Sequence, residues 1–231
     1  MPDQVNYYNH FGVMHEDSIL SCPEPQLWTT DYTEKGRIYK EIKQRVELQE
    51  QLVLTYFDKN VSLLDIGCGF GRQAVLFAKN GFDITGIDSS SIFIKIAQKL
   101  FEKFQYKGDF FCANLVYGEI PGIYKQILLL DVLEHIPPDQ RSLLVKNIFK
   151  ISDPGATLII SLPHVKNRII SQLNNSIRRK VTQHFSYFVN KEEHPYPVPQ
   201  TKDVLRIISP FFTLNKFIES EQTDYYVLQR I

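Results

Sequence analysis

Cysteine is scarce in this chain: three in 231 residues, at Cys22, Cys68 and Cys112. An odd number with no paired spacing excludes a disulfide framework and a cysteine-based zinc site. It points to a reducing compartment, the cytoplasm. Long hydrophobic runs are also missing. The longest strictly aliphatic run is Ile127 to Leu130, where a bilayer span needs ~20 apolar residues. The opening "MPDQVNYYNHFG" has no basic start leading into an apolar stretch, so no signal peptide is expected. Neither sign of charge is in excess: 26 Lys and Arg balance 26 Asp and Glu. That argues against a partner held by bulk attraction to nucleic acid, though a local basic patch is compatible with it. Repeats and low-complexity tracts are absent. What remains is 43% apolar, enough for a sizeable core.

Along the chain, residues 1 to 31 are polar, aromatic and proline-punctuated, and read as an irregular arm. Thr33 to Phe57 reads as a helix with a narrow apolar stripe through Ile38, Ile42, Val46 and Gln49 or Glu50. An alternation then begins. Strands are expected at 61–66, 82–88, 109–114, 124–131 and 156–162. Between them, helices are expected at Phe70–Asn80, closed by Gly81, at Ser89–Phe104, capped by serines, and at Pro138–Ile151. "YKQILLLD" (124–131) is apolar enough to be buried on both faces. Short strand–helix alternation implies right-handed βαβ units and a parallel sheet. Residues 163 to 200 break the rhythm and read as an insertion. Val165 to Phe185 is an amphipathic helix by pattern and carries Arg178, Arg179 and Lys180, while "HPYPVPQ" (194–200) suits neither helix nor central strand. A helix over 201–209 and two strands, "FFTLNKFIES" and "QTDYYVLQR", complete a single domain.

The stretch "LLDIGCGFGR" (63–72) puts three glycines in five residues at the end of the first strand. Ligands of α/β sheets bind at such strand ends. A dinucleotide fold needs G-x-G-x-x-G, but here Gly67, Gly69 and Gly71 are spaced G-x-G-x-G, and Arg72 stands at the expected third glycine. Asp65, at the mouth of the strand, repels a pyrophosphate and favours a ligand with an amine and a sulfonium, such as S-adenosylmethionine. Asp88 ends the second strand 21 residues after Gly67, where a carboxylate can accept two ribose hydroxyls.

With "GIDSS", "FCANL", "LLLDVLEHIPP" and "DPGATLIISLPH" in the same order, residues 61 to 164 resemble the class I S-adenosylmethionine-dependent methyltransferases. "DVLEHI" is similar to the branch that methylates small molecules such as quinones, sugars and lipids. The resemblance implies a Rossmann-like α/β fold. Its seven-stranded, mostly parallel sheet has order 3-2-1-4-5-7-6, with strand 7 antiparallel and helices on both faces. It implies that Asp65, Gly67, Gly69 and Gly71 flank the methionine part of the cofactor, that Asp88 and Ser89 hold the ribose, and that Asn114 and Leu115 meet the adenine. Asn114 stands where the family has an acid, and its amide oxygen is expected to accept the adenine N–H. Asp131 falls beside the donor methyl. The family's "PGG" turn is Pro154, Gly155, Ala156 here.

Methyl transfer to oxygen needs the acceptor's proton removed, and histidine suits that near neutral pH. His135, past strand four, is the first candidate base, with a bracing role for Glu134 and His135 as the alternative. His164, after strand five, is the second. His184 and His194 read as surface histidines of the insertion. A divalent metal on Asp131, Glu134 and His135, with His194, resembles the E-x-x-E-H site of plant small-RNA 2′-O-methyltransferases. Because Asp131 replaces the first glutamate, no metal is assigned. The aromatic N-terminal segment 1–57, with Tyr7, Tyr8, His10, Trp28 and Tyr32, is expected to fold over the cofactor as a lid, as in related enzymes. The Arg178–Lys180 cluster reads as a solvated face or a contact for anionic lipid or phosphate. The expected activity is methyl transfer to a small-molecule acceptor. RNA 2′-O- or base methylation and a non-catalytic cofactor-binding partner are the alternatives.

Overall fold

The computed structural model describes residues 2–28, 37–164 and 195–231. The expected amphipathic helix over Val165–Phe185, the Arg178–Lys180 cluster, Tyr32, His184 and His194 lie outside them. Seven strands form one sheet: β1 (Leu63–Ile66), β2 (Ile84–Asp88), β3 (Gly108–Cys112), β4 (Tyr124–Leu130), β5 (Ser152–Pro163), β6 (Phe212–Glu219) and β7 (Thr223–Arg230). Their order is β3-β2-β1-β4-β5-β7-β6. β7 runs antiparallel to both neighbours, and the other pairings are parallel, as the family resemblance implies.

Period-two alternation sorts the strand side chains into two layers. Leu63, Leu128, Leu130, Ile159, Tyr225 and Val227 face α2 (Arg37–Tyr56), α3 (Arg72–Lys79) and α4 (Ser91–Phe104). Leu64, Ile127, Leu129, Ile160, Tyr226 and Leu228 face α5 (Arg141–Ile151) and α6 (Thr201–Ile208). β4 thus contributes to both cores. The helix ends follow their signals. Ser90 caps α4 by accepting the N–H of Phe93. After α3 the chain turns through Gly81, whose φ of +93° suits glycine.

Three expectations need correction. The N-terminal arm is not irregular: Pro2–Ser21 forms a 20-residue helix, α1. Its polar, aromatic sequence shows no clear apolar stripe, so the helix is fixed by tertiary packing on α4. A Cβ added at Gly12 would lie 2.6 Å from Ile92 Cγ2, so glycine permits the close approach. Asn9 Oδ1 accepts the hydroxyl of Ser90 at 2.8 Å, and Phe11 meets Phe93 edge to face. Next, α5 begins at Arg141 rather than Pro138. Residues 137–140 form a turn, closed by the Gln140 N–H donating to Pro137 O at 2.9 Å. Arg141 then donates to the carbonyls of Ile136 and Pro197, so residues 195–200 are held as irregular chain against the helix. Lastly, β5 begins at Ser152, before the Pro154–Ala156 turn; the register to β4 shifts between Tyr124 and Gln126 and absorbs the turn as an irregularity.

Candidate active site

The carboxyl end of β1 turns sharply because Gly67, Gly69 and Gly71 all have positive φ (76°, 55° and 82°). Gly67 is also sterically required, since a Cβ there would lie 2.3 Å from Val132 Cγ2. The N–H groups of Gly67 and Cys68 both donate to Ile87 O, at 2.7 and 3.0 Å, which locks the bend to β2. Arg72, at the position of the missing third glycine, works outward instead. Its guanidinium donates to Gln26 O and Trp28 O, both at 2.9 Å, and clasps the segment after α1 onto α3.

Two acids face this bend. Asp65 is 3% exposed, and its Oδ2 has no hydrogen-bond partner among the described residues. Burial, and then the charge of Asp88, raise its pKa to about 7. Asp88 is better satisfied: Oδ2 accepts from Gly69 N–H (3.0 Å) and Oδ1 from Ser90 N–H (2.8 Å). Burial pushes its pKa up, and those N–H groups pull it back. Ser89 is half-buried at the end of β2, and its carbonyl accepts from Cys112 Sγ at 3.6 Å.

Asn114 is engaged within its own loop. Its Oδ1 already accepts the N–H groups of Val116 and Tyr117, both at 2.9 Å, so the oxygen expected for an adenine N–H closes the 114–118 loop. Leu115 is buried beside it in the α5–α6 core.

Past β4, Asp131 has a φ of 56°, rare for a residue with a side chain and strained by about 1 kcal/mol or more. Contacts over-determine it. Ser161 Oγ donates to Oδ1 (2.7 Å) and accepts the Asp131 N–H (2.9 Å), while Arg45 of α2 donates to Oδ2 at 2.9 Å. Glu134 is 1% exposed, and burial and the Asp131 charge hold its carboxyl well above the usual range. His135 reaches α1: Nδ1 lies 3.1 Å from Tyr8 Oη and 3.4 Å from Gln4 Nε2, and its Nε2 is 4.0 Å from Glu134 Oε1. Gln49 and Tyr225, 1% and 0% exposed, lie near Asp131 and Arg45.

The two candidate histidines stand apart. His135 shares the α1–α2 face with Asp131 and Arg45. Strand alternation puts His164 on the α5–α6 face, where Nδ1 lies 2.6 Å from Asp224 Oδ1. Asp131, Glu134 and His135 do not converge as metal ligands; among the described residues the group that does is His164, Glu219 and Asp224. Arg45, Ser161, Glu219 and Asp224 were not singled out from sequence. Each meets its partner across a long stretch of chain, so no local motif marks them.

A family model described as a methyltransferase domain matches residues 37–202. Among curated proteins, the chain is similar to a ubiquinone biosynthesis O-methyltransferase of Coxiella burnetii, with 30% identity over 114 residues, 47% of this chain and 48% of that one. It is also similar to the Rickettsia akari protein of the same name, with 26% identity over 58% of this chain and 54% of that one. The match thus spans about half the length of these relatives. Among solved structures, magnesium protoporphyrin IX methyltransferase from Synechocystis with bound S-adenosylhomocysteine superposes with a TM-score of 0.68 at 20% identity, over 99% of this chain and 100% of that one. The [4+2]-cyclase SpnF superposes with 0.66 at 12% identity, over 96% and 95%. At these identities the likeness is one of fold, and the cyclase shows that the fold alone does not fix the chemistry.

Proposed function

The chain belongs to the class I S-adenosylmethionine-dependent methyltransferase family, and we propose that it transfers a methyl group to an oxygen of a small-molecule acceptor, a quinone-, sugar- or lipid-like compound. The observation that carries this is the buried carboxylate of Asp65, whose Oδ2 has no partner among the described residues, at an open glycine bend facing Asp88. Such a group demands a cation or a donor, and an amino-acid ammonium answers it. S-adenosylmethionine bound there would supply a methyl already activated on a sulfonium. The residues fit that group. Asp65 receives the cationic end, the bend admits the main chain closely, and Asp88 can turn its oxygens to ribose hydroxyls. The names of the curated relatives support an oxygen acceptor.

The protein's own work is alignment, exclusion of water and proton removal. His135 is the proposed base, because it shares the face of the donor bend and of Asp131. In the tautomer whose Nδ1–H donates to Tyr8 Oη, the Nε2 lone pair is the proton acceptor. The same contact ties α1 over the site, so the N-terminal helix is read as a lid. Asp131 and Arg45 form the wall beneath. The unpaired cysteines fit action in the cytoplasm, and no helix among the described residues is long and apolar enough to cross a membrane.

The test is calorimetry with S-adenosylhomocysteine, followed by radiolabelled methyl transfer to phenolic, sugar and lipid fractions. Saturable heat, with label appearing in one fraction and lost in His135→Ala, supports the reading. Absence of heat with both the donor and its demethylated product sinks it.

A further inference from the structure

On the face of the sheet opposite His135, three titratable side chains meet at the carboxyl edge. His164 follows β5, Glu219 closes β6, and Asp224 is the second residue of β7. Glu219 and Asp224 are register partners across the β6–β7 hairpin. Two carboxylates placed so repel each other unless positive charge lies between them. Asp224 is 1% and His164 4% exposed, while the Glu219 side chain is 57% exposed, so water reaches the pair from the Glu219 side only.

His164 Nδ1 is 2.6 Å from Asp224 Oδ1, and Nε2 is 3.8 Å from Glu219 Oε1. One ligand atom from each of the three lies within 4.8 Å of the others. A single ion bonds one ring nitrogen; at Nδ1, beside Asp224, bonds of about 2.0–2.2 Å would hold the set once the exposed Glu219 carboxylate swings from the Nε2 side to join it.

The frame is independently fixed. Ser220 Oγ donates to Thr223 O at 2.7 Å and accepts the Thr223 N–H at 3.1 Å, which locks the hairpin turn. The His164 N–H donates to Gln222 O at 2.8 Å, which ties the histidine to the same turn. All three donors are therefore carried by one braced corner of the sheet.

We infer that His164, Asp224 and Glu219 form a binding site for a divalent transition-metal ion of the zinc or manganese kind. One imidazole and two carboxylates suit those ions better than magnesium or calcium, which prefer an all-oxygen shell. The Glu219 side chain is 57% exposed, so the open side of the site can take water as the remaining ligands. An ion bonded at Nδ1 takes the place of any proton on that nitrogen, which leaves to solvent. The ion clasps the end of β5, where the chain enters residues 165–194, to the β6–β7 hairpin. The site is separate from the donor bend and does not depend on the proposed activity.

Metal-stripped full-length protein is titrated calorimetrically with ZnCl2, MnCl2 and MgCl2, and a cobalt(II) form is examined by visible absorption. We expect one saturable site for Zn2+, a weaker one for Mn2+, none for Mg2+, and cobalt d–d bands that zinc displaces. Glu219→Gln, an exposed change that leaves folding intact, weakens zinc binding by at least about tenfold. The heat of S-adenosylhomocysteine binding stays the same in that variant. No saturable heat with Zn2+ or Mn2+ below about 100 µM, or zinc binding equally tight in Glu219→Gln, overturns the site. If S-adenosylhomocysteine binds but zinc does not, this inference fails while the methyltransferase reading stands. The reverse result leaves the metal site and removes the donor site.

Discussion

The donor end of the sheet and its acceptor end differ in how far apart in the chain their partners lie. At the donor end, Asp65, the Gly67–Gly71 bend and Asp88 sit on two neighbouring strands, and the bend is held by backbone bonds to Ile87 and by the Asp88 carboxylate. At the acceptor end every defining contact is remote. Tyr8 meets His135 across 127 positions and Arg45 meets Asp131 across 86. On the proposed reading, donor recognition is written into a short backbone conformation, while acceptor recognition is assembled by side chains that only folding brings together. Relatives sharing the fold can then keep one end and vary the other.

The comparison breaks first if the donor end tolerates side chains. Gly67→Ala combines a positive φ with a Cβ 2.3 Å from Val132 Cγ2, and should lower stability by roughly 3 kcal/mol in urea unfolding. Gly69→Ala, whose nearest contact would be 3.9 Å, should lose only about 1 kcal/mol. Equal losses at the two positions would show that packing on Val132 does not shape the bend.

Asp88→Ala comes next. It should weaken S-adenosylhomocysteine about 100-fold by calorimetry, near 3 kcal/mol, through the loss of charge-assisted bonds. Unchanged affinity would remove the second acid from the donor site.

The pH dependence sharpens the donor end further. Burial and the charge of Asp88 push the Asp65 carboxyl up to about 7 from its ordinary 3.8. Between those values the unfolded chain has released the proton and the native chain retains it, so this group makes stability fall as pH rises from about 4 to 7 and level off above. An ammonium ligand needs the ionised form. Its binding should therefore strengthen as pH rises towards 7 and release up to about one proton below it. Titrations in buffers of different ionisation enthalpy measure that proton, and Asp65→Asn should abolish its release.

The smallest expected effect is at the acceptor end. Tyr8→Phe removes the hydroxyl from His135 and should lower stability by about 1 kcal/mol. It should leave the Asp65-linked proton release intact. A change in that release would mean that the two ends are coupled.

Much of the fold was legible in advance because period-two strands and well-capped helices are local signals. β4 announced its double burial by an unbroken apolar run, and α4 announced its start by Ser90. The start of α5 was misjudged because a proline marks a turn as readily as a helix, and α1 was missed because its packing partner, α4, lies far along the chain. That Asn114 Oδ1 also closes the 114–118 loop is not legible in the sequence, because a side chain's backbone partners cannot be seen until the loop folds.

By itself, the sequence determined the strand–helix alternation and the glycine bend, since local periodicity and glycines at set spacing constrain the backbone wherever they fall, while the strand order came from the family resemblance. Tertiary structure alone decided which histidine shares a face with the donor bend, that Arg45 and Ser161 hold Asp131, and that Glu219 and Asp224 stand side by side. Those outcomes depend on strand register and helix docking, which place side chains by packing over the whole molecule rather than by any pattern along the chain.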